Sequence, residues 1–414
     1  MKRLLAGSAG LVMAIMVVNA GNYGLNLLLA NALDPSDFGD ASLLVTVLLV
    51  TGVLAGTLQL ATSVATIRRP DQRDQQLGSM RLLTNRVGWV GGLLLGAVSP
   101  LAADILHVES RWALFIMAAG FPLHLQLAVE RGRLQGDLFL GRLAGTFVAE
   151  GVARIVATIA IVSLAPSVGA LAVALNVGFL GGYLVCRPRL GRWSWLELTN
   201  PGDHPPVGSV GTAVVAVTLI TNLDVVAAKC VFDPATAGGF AALALGGRVV
   251  FFASWTLQQA LLPLVIAEHA TIGRELRQKL FVGGNALVCA VLVVLAWGWS
   301  DRWITLAFGA TYSDLAPLLG PYALGTGVVS VAAAVAVIRS TEGNDWPSRF
   351  LLGGAVAVGA TLLFNGETLK SFIDARLLSV VLLAALVITA GNVSGRFSNS
   401  VIGSCRSGRE GAFS

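Results

Sequence analysis

Residues 218–239, T-L-I-T-N-L-D-V-V-A-A-K-C-V-F-D-P-A-T-A-G-G, are apolar enough to cross a membrane but carry Asn222, Asp224 and Lys229 within the run. A carboxylate near the centre of a bilayer costs about 2.5–3.5 kcal/mol on insertion scales. Such residues therefore face a bundle interior or a wet cavity instead of lipid. The stretch predicts a membrane helix with a polar interior face, and Asp224 is its candidate functional residue.

The pair Asp233-Pro234 at the end of this stretch predicts a corner between two helices. Proline lacks an N–H and disfavours the helical conformation of the residue before it, so the pair ends the first helix. The same pair suits the start of the next helix, with Asp233 as N-cap and Pro234 at the first helical position.

A D-P-x-x-x-G corner of this kind occurs twice, at positions 34–39 and 233–238, which gives an offset of 199 residues (233 − 34). At the same offset, T-L-Q at positions 57–59 matches T-L-Q at positions 256–258. Matches of Leu or Ala are expected by chance in an apolar chain. Two D-P-x-x-x-G corners that are each followed at the same distance by the same tripeptide are not expected by chance. The pattern indicates a duplicated half.

Composition places the chain among membrane proteins. Hydrophobic residues make up 55% of the 414 residues and charged residues 12%, with a mean hydropathy of +0.76, whereas globular proteins average about 25% charged residues. We predict an all-α polytopic membrane protein with about 12 transmembrane helices. The predicted spans are 5–32, 40–66, 84–106, 111–130, 140–165, 168–186, 208–231, 238–265, 279–299, 315–338, 350–365 and 374–393.

Six spans fall in each half, and repeat mates separated by six crossings run in the same direction. The halves are therefore predicted to be parallel repeats about an axis along the membrane normal. The predicted domains are an N-terminal six-helix bundle (1–190), a cytoplasmic linker (191–207), a C-terminal six-helix bundle (208–393) and a disordered cytoplasmic tail (394–414) rich in Ser, Gly and Arg.

The basic residues predict the topology. Lys2 and Arg3 before an apolar run also fit a signal peptide, but the run continues to Leu33 and favours a retained first helix. With the N-terminus inside, 21 of the 28 Lys and Arg residues lie in cytoplasmic segments, and four lie outside: Arg111, Arg302, Lys370 and Arg376. This asymmetry predicts a protein of the cytoplasmic membrane with both termini cytoplasmic, and it accounts for the net charge of +5.

Five charged residues within spans are candidates for a binding cavity. Asp224 either hydrogen-bonds across a helix pair or works in a cavity. Glu150 and Arg154 share a helix face at i, i+4, so they either neutralise each other or leave Arg154 to meet a phosphate. Arg248 has no acid one turn away and is the best candidate anion contact. Lys229, close to the end of its span, is expected to snorkel outward, with a cavity role as the alternative.

The remaining cavity candidates are neutral amides, for which interhelical hydrogen bonding and a polar cavity wall are both open interpretations. They comprise a stripe along the first span, the neighbour of Asp224 and the two repeat-mate glutamines: Asn22 and Asn26 (with Asn19), Asn222, Gln59 and Gln258.

Motifs for covalent chemistry are absent from the sequence. The four cysteines and four histidines are scattered without ligand spacing, so neither a metal site nor a cofactor is predicted. No G-x-S-x-G, phosphate-binding loop, dinucleotide fingerprint or nucleic-acid-binding pattern occurs. The sequence favours a non-enzyme that binds no nucleic acid.

The segment Asn222-Leu223-Asp224, followed by Ala228-Lys229 and the D-P-x-x-x-G corner, resembles the seventh helix and corner of polysaccharide-type lipid-linked oligosaccharide flippases. Leu29 to Gly39 resembles the L-A-x-x-L-x-P-x-x-F/Y-G opening of the same family. These flippases belong to the multidrug/oligosaccharidyl-lipid/polysaccharide exporter superfamily, in which two six-helix bundles face a central cavity. The resemblance covers the whole chain, although many relatives have fourteen helices, and only Asp224 is carried over from the motif.

The resemblance implies a flippase that translocates a lipid-linked oligosaccharide or polysaccharide precursor by alternating access. Its implied partners are a polyisoprenyl-pyrophosphate-linked glycan, membrane lipid and a coupling ion, H⁺ or Na⁺. Arg154, Arg248 and Lys229 are the cations available for the pyrophosphate.

Three alternatives stay open. A cation-coupled drug antiporter of the same fold would favour a net acidic cavity. An integral-membrane glycan polymerase or ligase would need a long catalytic outer loop, which the sequence lacks. The major facilitator pattern also has two parallel halves, but its basic G-x-x-x-D-R-x-G-R loop does not occur between spans 2 and 3.

The topology yields a first prediction. In a cysteine-free background, a cysteine at Ser110 should react with a membrane-impermeant thiol reagent in intact cells, whereas a cysteine at Gln76 should react only after the cells are opened. Labelling of Gln76→Cys in intact cells would invert the topology.

Overall fold

The computed structural model describes residues 2–68, 73–108, 110–164, 167–186, 208–266, 273–342 and 344–410, and these residues form helices and short connections without a strand. The first six helices are α1 (Lys2–Ala32), α2 (Pro35–Arg68), α3 (Arg73–Ile105), α4 (Arg111–Gly136), α5 (Leu140–Leu164) and α6 (Val168–Cys186). The next six are α7 (Gly208–Ile220), α8 (Leu223–Val231), α9 (Pro234–Gly247), α10 (Val249–Ile266), α11 (Arg274–Gly298) and α12 (Ser300–Phe308). A 3-10 helix (Ala310–Leu315) leads to α13 (Ala316–Thr341), α14 (Trp346–Leu363) and α15 (Leu369–Glu410).

The helices group into two compact units. The first unit comprises Met1–Val207 and Phe232–Ala242, and the second comprises Gly208–Val231 and Leu243–Ser414. In the first unit α4 is central, since it packs against α2, α3, α5 and α6. In the second unit α13 is central and packs against α7, α10, α11, α14 and α15. The two central helices carry several of the buried polar side chains described below.

Eleven helical segments of the described chain are long and apolar enough to cross a membrane. The predicted span 208–231 is not among them, because it is broken into α7 and α8 at Thr221 and Asn222. Counted with the eleven, this broken helix gives the predicted number of about twelve. The all-α polytopic fold class is therefore confirmed.

The break in span 208–231 has a local cause. The Thr221 hydroxyl and the Asn222 amide donate hydrogen bonds of 2.7 Å to the carbonyls of Val217 and Thr218, so side chains satisfy acceptors of the last turn of α7. Asp224 then accepts a 2.8 Å hydrogen bond from the Val225 N–H in the first turn of α8. The predicted functional residue thus lies where the helix restarts.

The predicted Asp-Pro corner at position 233 is present. Helix α8 ends at Val231 and α9 begins at Pro234, and the Asp233 carboxylate accepts 3.2 Å hydrogen bonds from the N–H groups of Ala235 and Thr236. Hydrogen bonds from the side chain and backbone of Thr236 hold the pKa of Asp233 below its ordinary value. Asp233 is therefore the predicted N-cap.

The two corners of the repeat touch each other through glycines at equivalent positions. A Cβ on Gly39 would lie 3.0 Å from the Gly238 Cα, and a Cβ on Gly238 would overlap the Pro35 carbonyl oxygen. Only glycine permits this approach. The second unit begins at Gly208, where the C-terminal bundle was predicted to begin, but Phe232–Ala242, which was predicted to belong to that bundle, groups with the first unit.

The tail predicted to be disordered from Ser394 is helical as far as Glu410, because α15 continues through it. The predicted linker 191–207 lies outside the described residues.

The glycine contact yields a second prediction. Gly238→Ala should lower membrane abundance and the thermal unfolding temperature strongly, because its methyl group meets backbone atoms that cannot rotate away. Gly353→Ala is the matched control, since a Cβ there meets nothing within 4 Å and alanine favours a helix. Equal unfolding temperatures of the two variants in detergent would contradict the corner contact.

Candidate functional site

A buried ion cluster surrounds Asp224 in the second unit. Asp224 is 1% exposed, and its Oδ2 accepts hydrogen bonds from Arg376 Nε (2.9 Å) and from the Tyr322 hydroxyl (2.7 Å). Its Oδ1 accepts a longer bond of 3.2 Å from Arg248 Nη2. The carboxylate therefore has two arginines and one hydroxyl as partners, and we call these four residues the Asp224 cluster.

Arg376 is the anchored arginine of this cluster. Besides the bond to Asp224, its Nη1 donates to the Tyr322 carbonyl (3.4 Å) and its Nη2 donates to Thr326 Oγ1 (3.3 Å). Its guanidinium lies 4.1 Å from the centroid of the Tyr322 ring, a cation–π contact. All three nitrogens are engaged, so Arg376 neutralises Asp224 and is held in one position.

Arg248 is held more loosely. It lies at the junction of α9 and α10, is buried, and reaches Asp224 only through the 3.2 Å bond, while its Nε has no hydrogen-bond partner among the described residues. A buried N–H of a charged group without an acceptor is costly. Arg248 thus supplies a positive charge beyond the one that Asp224 needs, with a donor left over.

Gly247 is required next to Arg248, because a Cβ at this position would overlap the Tyr322 ring. The bare backbone lets the ring lie against α9 and brings its hydroxyl to Asp224. The Gly-Arg pair at this junction therefore positions two members of the cluster.

The first unit holds a second cluster, built on Glu150. Glu150 Oε2 accepts a 2.7 Å bond from Arg131 Nη2, and Glu150 Oε1 is paired with Arg154 Nη2. Arg154 Nη1 also donates to Asn22 Oδ1 (3.2 Å), which brings α1 into the cluster. We call Glu150, Arg131, Arg154 and Asn22 the Glu150 cluster.

The two arginines of the Glu150 cluster also differ in how they are held. Arg131 donates from Nε to Thr146 Oγ1 (3.0 Å) and from Nη2 to the Thr146 carbonyl (3.1 Å), and it stacks over the Phe147 ring at 3.8 Å. Arg154 Nε, by contrast, is buried without a hydrogen-bond partner among the described residues. Each unit therefore pairs one carboxylate with an anchored arginine and with a second arginine that retains a free donor.

The formal charge of each cluster follows directly. Two arginines against one carboxylate leave one excess positive charge in each cluster. Neutralisation of Arg154 by Glu150, one of the two interpretations of the sequence, is therefore incomplete because Arg131 shares the same carboxylate. Such sites can hold a group with negative charge and several acceptor oxygens, such as a phosphate.

Lys229 corrects an expectation from the sequence. It was expected to snorkel outward, but it is 1% exposed and lies in the last turn of α8, which packs against α14. Packing of α8 against α14 accompanies this burial, so the side chain does not reach an exposed position.

The neutral candidates make interhelical or local hydrogen bonds. Gln59 donates to Gln135 Oε1 at 2.9 Å, and Gln258 donates to Ser254 Oγ and to the Ser330 carbonyl. The Asn26 amide bonds the Asn22 carbonyl, and the Asn222 amide bonds its own helix as described above. Of the predicted candidates, Asn22 and Glu150 lie with Arg154, and Asp224 lies with Arg248.

Three cluster members escaped the sequence analysis. Arg376 was assigned to an outer segment, but it is 2% exposed and bonded to Asp224. Arg131 was assigned to a cytoplasmic segment just beyond predicted span 111–130, but α4 continues to Gly136 and buries it. Tyr322 carried no signal except its place directly after Pro321 inside an apolar run. Both arginines lie within a few residues of the end of a predicted span. Treating every such arginine as a possible buried charge would have identified them.

No family model and no curated protein matches the sequence. Solved structures do match. The inward-facing conformation of a multidrug resistance MATE family transporter of the MOP superfamily aligns with a TM-score of 0.75 over 95% of this chain and 99% of that chain, at 13% identity. The chain has the fold of MATE transporters.

Two further structures of this fold are informative. An outward-facing conformation of a multidrug resistance MATE family transporter aligns with a TM-score of 0.56 and 13% identity, covering 95% of this chain and 96% of that one. A MOP superfamily transporter from Pyrococcus furiosus aligns with a TM-score of 0.53 and 12% identity, covering 94% and 95%, and is described as having a binding pocket of reverse polarity that suggests a different function. At these identities the likeness establishes the fold alone.

The Asp224 cluster yields a third prediction. Asp224→Ala should destabilise the protein by about 3–5 kcal/mol, because it leaves two buried arginines without a counter-charge. The double variant Asp224→Ala/Arg376→Ala should recover part of this loss. Arg248→Ala alone should cost less than about 1 kcal/mol, since Arg376 and Tyr322 still satisfy Asp224. Thermal unfolding in detergent and membrane abundance measure all three, and a loss in Arg248→Ala equal to that in Arg376→Ala would refute the distinction between the arginines.

Proposed function

We propose that the protein is a flippase that moves a lipid-linked oligosaccharide or polysaccharide precursor across the cytoplasmic membrane by alternating access. The observation that carries the proposal is the second arginine of each cluster. Arg154 and Arg248 are each buried, and each pairs with a carboxylate that already has an anchored arginine, Glu150 and Asp224 respectively. Among the described residues, neither Nε–H has a hydrogen-bond partner. A polyisoprenyl pyrophosphate offers the negative charge and acceptor oxygens that these donors lack.

The fold supports the transport part of the proposal. The neighbours include transporters described in inward-facing and outward-facing conformations, which is what alternating access requires. The proposed transport involves no covalent chemistry, so the proposed function is not that of an enzyme. Membrane lipid is a second partner, because the glycan carrier is itself a lipid.

The cation-coupled drug antiporter is the main alternative of the same fold. A site for organic cations would be net acidic, whereas each of the two clusters has more arginine than carboxylate. The Pyrococcus furiosus protein, with its pocket of reverse polarity, is a precedent for a change of function on this fold. The excess of positive charge therefore favours an anionic substrate for this chain.

A glycan polymerase or ligase is a weaker alternative. Such an enzyme would need an outer loop large enough for catalytic residues. In the described chain, the connections predicted to lie outside are short, as in the step from Leu363 at the end of α14 to Leu369 at the start of α15. This observation favours transport.

The proposed orientation has both termini in the cytoplasm. Arg376 and Arg131 are buried in the clusters, so they leave the topological count. That count becomes 20 basic residues inside and three outside, from 21 and four. The bias that supports the orientation is thus slightly stronger than the sequence alone indicated.

A reconstituted assay gives the fourth prediction. The full chain in liposomes should speed the transbilayer movement of a fluorescent undecaprenyl-diphosphate disaccharide, measured by its accessibility to an impermeant quencher. Arg154→Gln and Arg248→Gln should each slow this movement about 10-fold or more, since a charge-assisted hydrogen bond contributes about 1.5–3 kcal/mol. Arg302→Gln is the matched control, because this arginine is exposed on α12.

The same liposomes separate the alternatives. Uptake of a cationic dye against an imposed pH or sodium gradient, with no movement of the lipid-linked probe, would replace the flippase by the antiporter. Equal rates in the wild type, Arg154→Gln and Arg248→Gln would contradict the role of the second arginines.

A further inference from the structure

Two aromatic side chains follow Arg248 along α10 and take no part in the Asp224 cluster. The rings of Phe251 and Trp255 are stacked, with their centroids 6.0 Å apart and their planes at 23° to each other. Both side chains are half-buried. We call these two residues the aromatic pair.

The aromatic pair lies on the same side of the helix as Arg248. The N–H of Phe252 donates a 3.0 Å hydrogen bond to the Arg248 carbonyl, so Arg248 is in helical register with the start of α10. The two members come 3 and 7 residues after Arg248 (251 − 248 and 255 − 248). They therefore lie within about 60° of it around the helix, and about 4.5 and 10.5 Å from it along the axis. Within the described chain, the Nε of this arginine has no hydrogen-bond partner.

The core of the second unit is formed by the neighbouring side of α10. Val250, Ser254 and Gln258 are buried at every fourth position of this helix. Val250 clusters with Cys289 and Val293 of α11. Each member of the aromatic pair comes one position after a buried residue, so it lies at the margin of the buried side. The half-buried rings thus retain surface that a ligand can cover.

The sequence repeat gives no packing reason for aromatic side chains at these two positions. At the offset of 199 residues their mates on α2 are Gly52 and Gly56, directly before the matched T-L-Q tripeptide. A Cβ on either glycine meets nothing within 4 Å. The equivalent helix of the first unit therefore has no side chain at these positions, and the aromatic pair belongs to the second unit alone.

A half-exposed aromatic surface beside a buried cation matches the chemistry of a sugar linked to a phosphate. One face of a pyranose ring presents C–H groups with a partial positive charge, whereas the face of an aromatic ring is negative. Stacking also removes apolar surface of both rings from water. In a glycosyl diphosphate, the first sugar is bonded directly to a phosphate oxygen. A diphosphate held by Arg248 would thus bring the first sugars of the glycan to the aromatic pair.

We propose that Phe251 and Trp255 form a sugar-binding platform, on which a pyranose ring next to the diphosphate stacks when the diphosphate is bound at Arg248. The proposal rests on the proposed function, because it requires a diphosphate at this arginine. It makes the aromatic pair a determinant of specificity, since a carrier loaded with glycan gains a contact that the empty carrier lacks.

The test compares two probes that bind to the purified full chain in detergent: farnesyl diphosphate, and farnesyl diphosphate linked to one N-acetylglucosamine. Trp255→Leu should weaken binding of the sugar-bearing probe about 10-fold, because the stacked face is lost. Its affinity for farnesyl diphosphate should equal that of the wild type. The two probes differ in charge, but this difference is common to all variants, so the change in the affinity ratio reports the sugar contact.

Further variants separate stacking from general packing. Trp255→Phe keeps an aromatic face and should retain most of the preference for the sugar, while Phe251→Leu should reduce that preference. Arg248→Gln should weaken both probes by the same factor, since both carry the diphosphate. Trp346→Leu is the matched control, because this tryptophan is exposed at the start of α14, and it should bind both probes like the wild type.

The outcomes distinguish this proposal from the proposed function. An equal loss of affinity for both probes in Trp255→Leu would assign the aromatic pair to the isoprenoid chain or to support of Arg248, and would overturn the sugar platform. Unchanged affinities in Trp255→Leu would overturn it as well. Both results leave the flippase intact. No binding of either probe to the wild type would contradict the anionic substrate, and with it both proposals.

Discussion

The structure depends on the need to pair a buried carboxylate. Asp224 is almost fully enclosed in an apolar unit, where an unpaired charge is not tolerated. Its pairing draws together α8, the junction of α9 and α10, α13 and α15 through Arg248, Tyr322 and Arg376. The bare backbone at Gly247 and the burial of Arg376 both serve this pairing.

The first unit solves the same problem with different residues. Glu150, Arg131 and Arg154 are not repeat mates of the Asp224 cluster at the offset of 199, so the two clusters are not copies of one ancestral site. Each nevertheless contains two arginines and one carboxylate, and the Nε of one of the two arginines has no hydrogen-bond partner within the described part of the chain. The proposed anion site therefore rests on the Nε of Arg154 and of Arg248, which have no hydrogen-bond partner among the described residues.

The sequence predicted the features that depend on the free-energy cost of burying a charge and on the pattern of apolar residues. The apolar runs predicted the fold class and most spans, and the proline corners predicted where helices end, because these rules are local. The free-energy cost of burying a charge in a membrane identified Asp224, Glu150, Arg154 and Arg248 as candidate site residues.

The sequence could not predict which helices meet. Arg376 and Arg131 lie near the ends of apolar runs, where a charge is ordinary, and only tertiary packing makes them interior residues. The snorkelling expected of Lys229 failed for the same reason, since α14 covers α8. The Gly39–Gly238 contact likewise joins positions that local rules treat separately.

In the proposed mechanism, the second arginine of a cluster holds the anionic group of the substrate. The most direct test is an experimental structure of the full chain with an undecaprenyl-diphosphate glycan bound. In that structure, a phosphate oxygen should lie within about 3.2 Å of the Nε of Arg154 or Arg248. A diphosphate bound beyond hydrogen-bond reach of both arginines would contradict it.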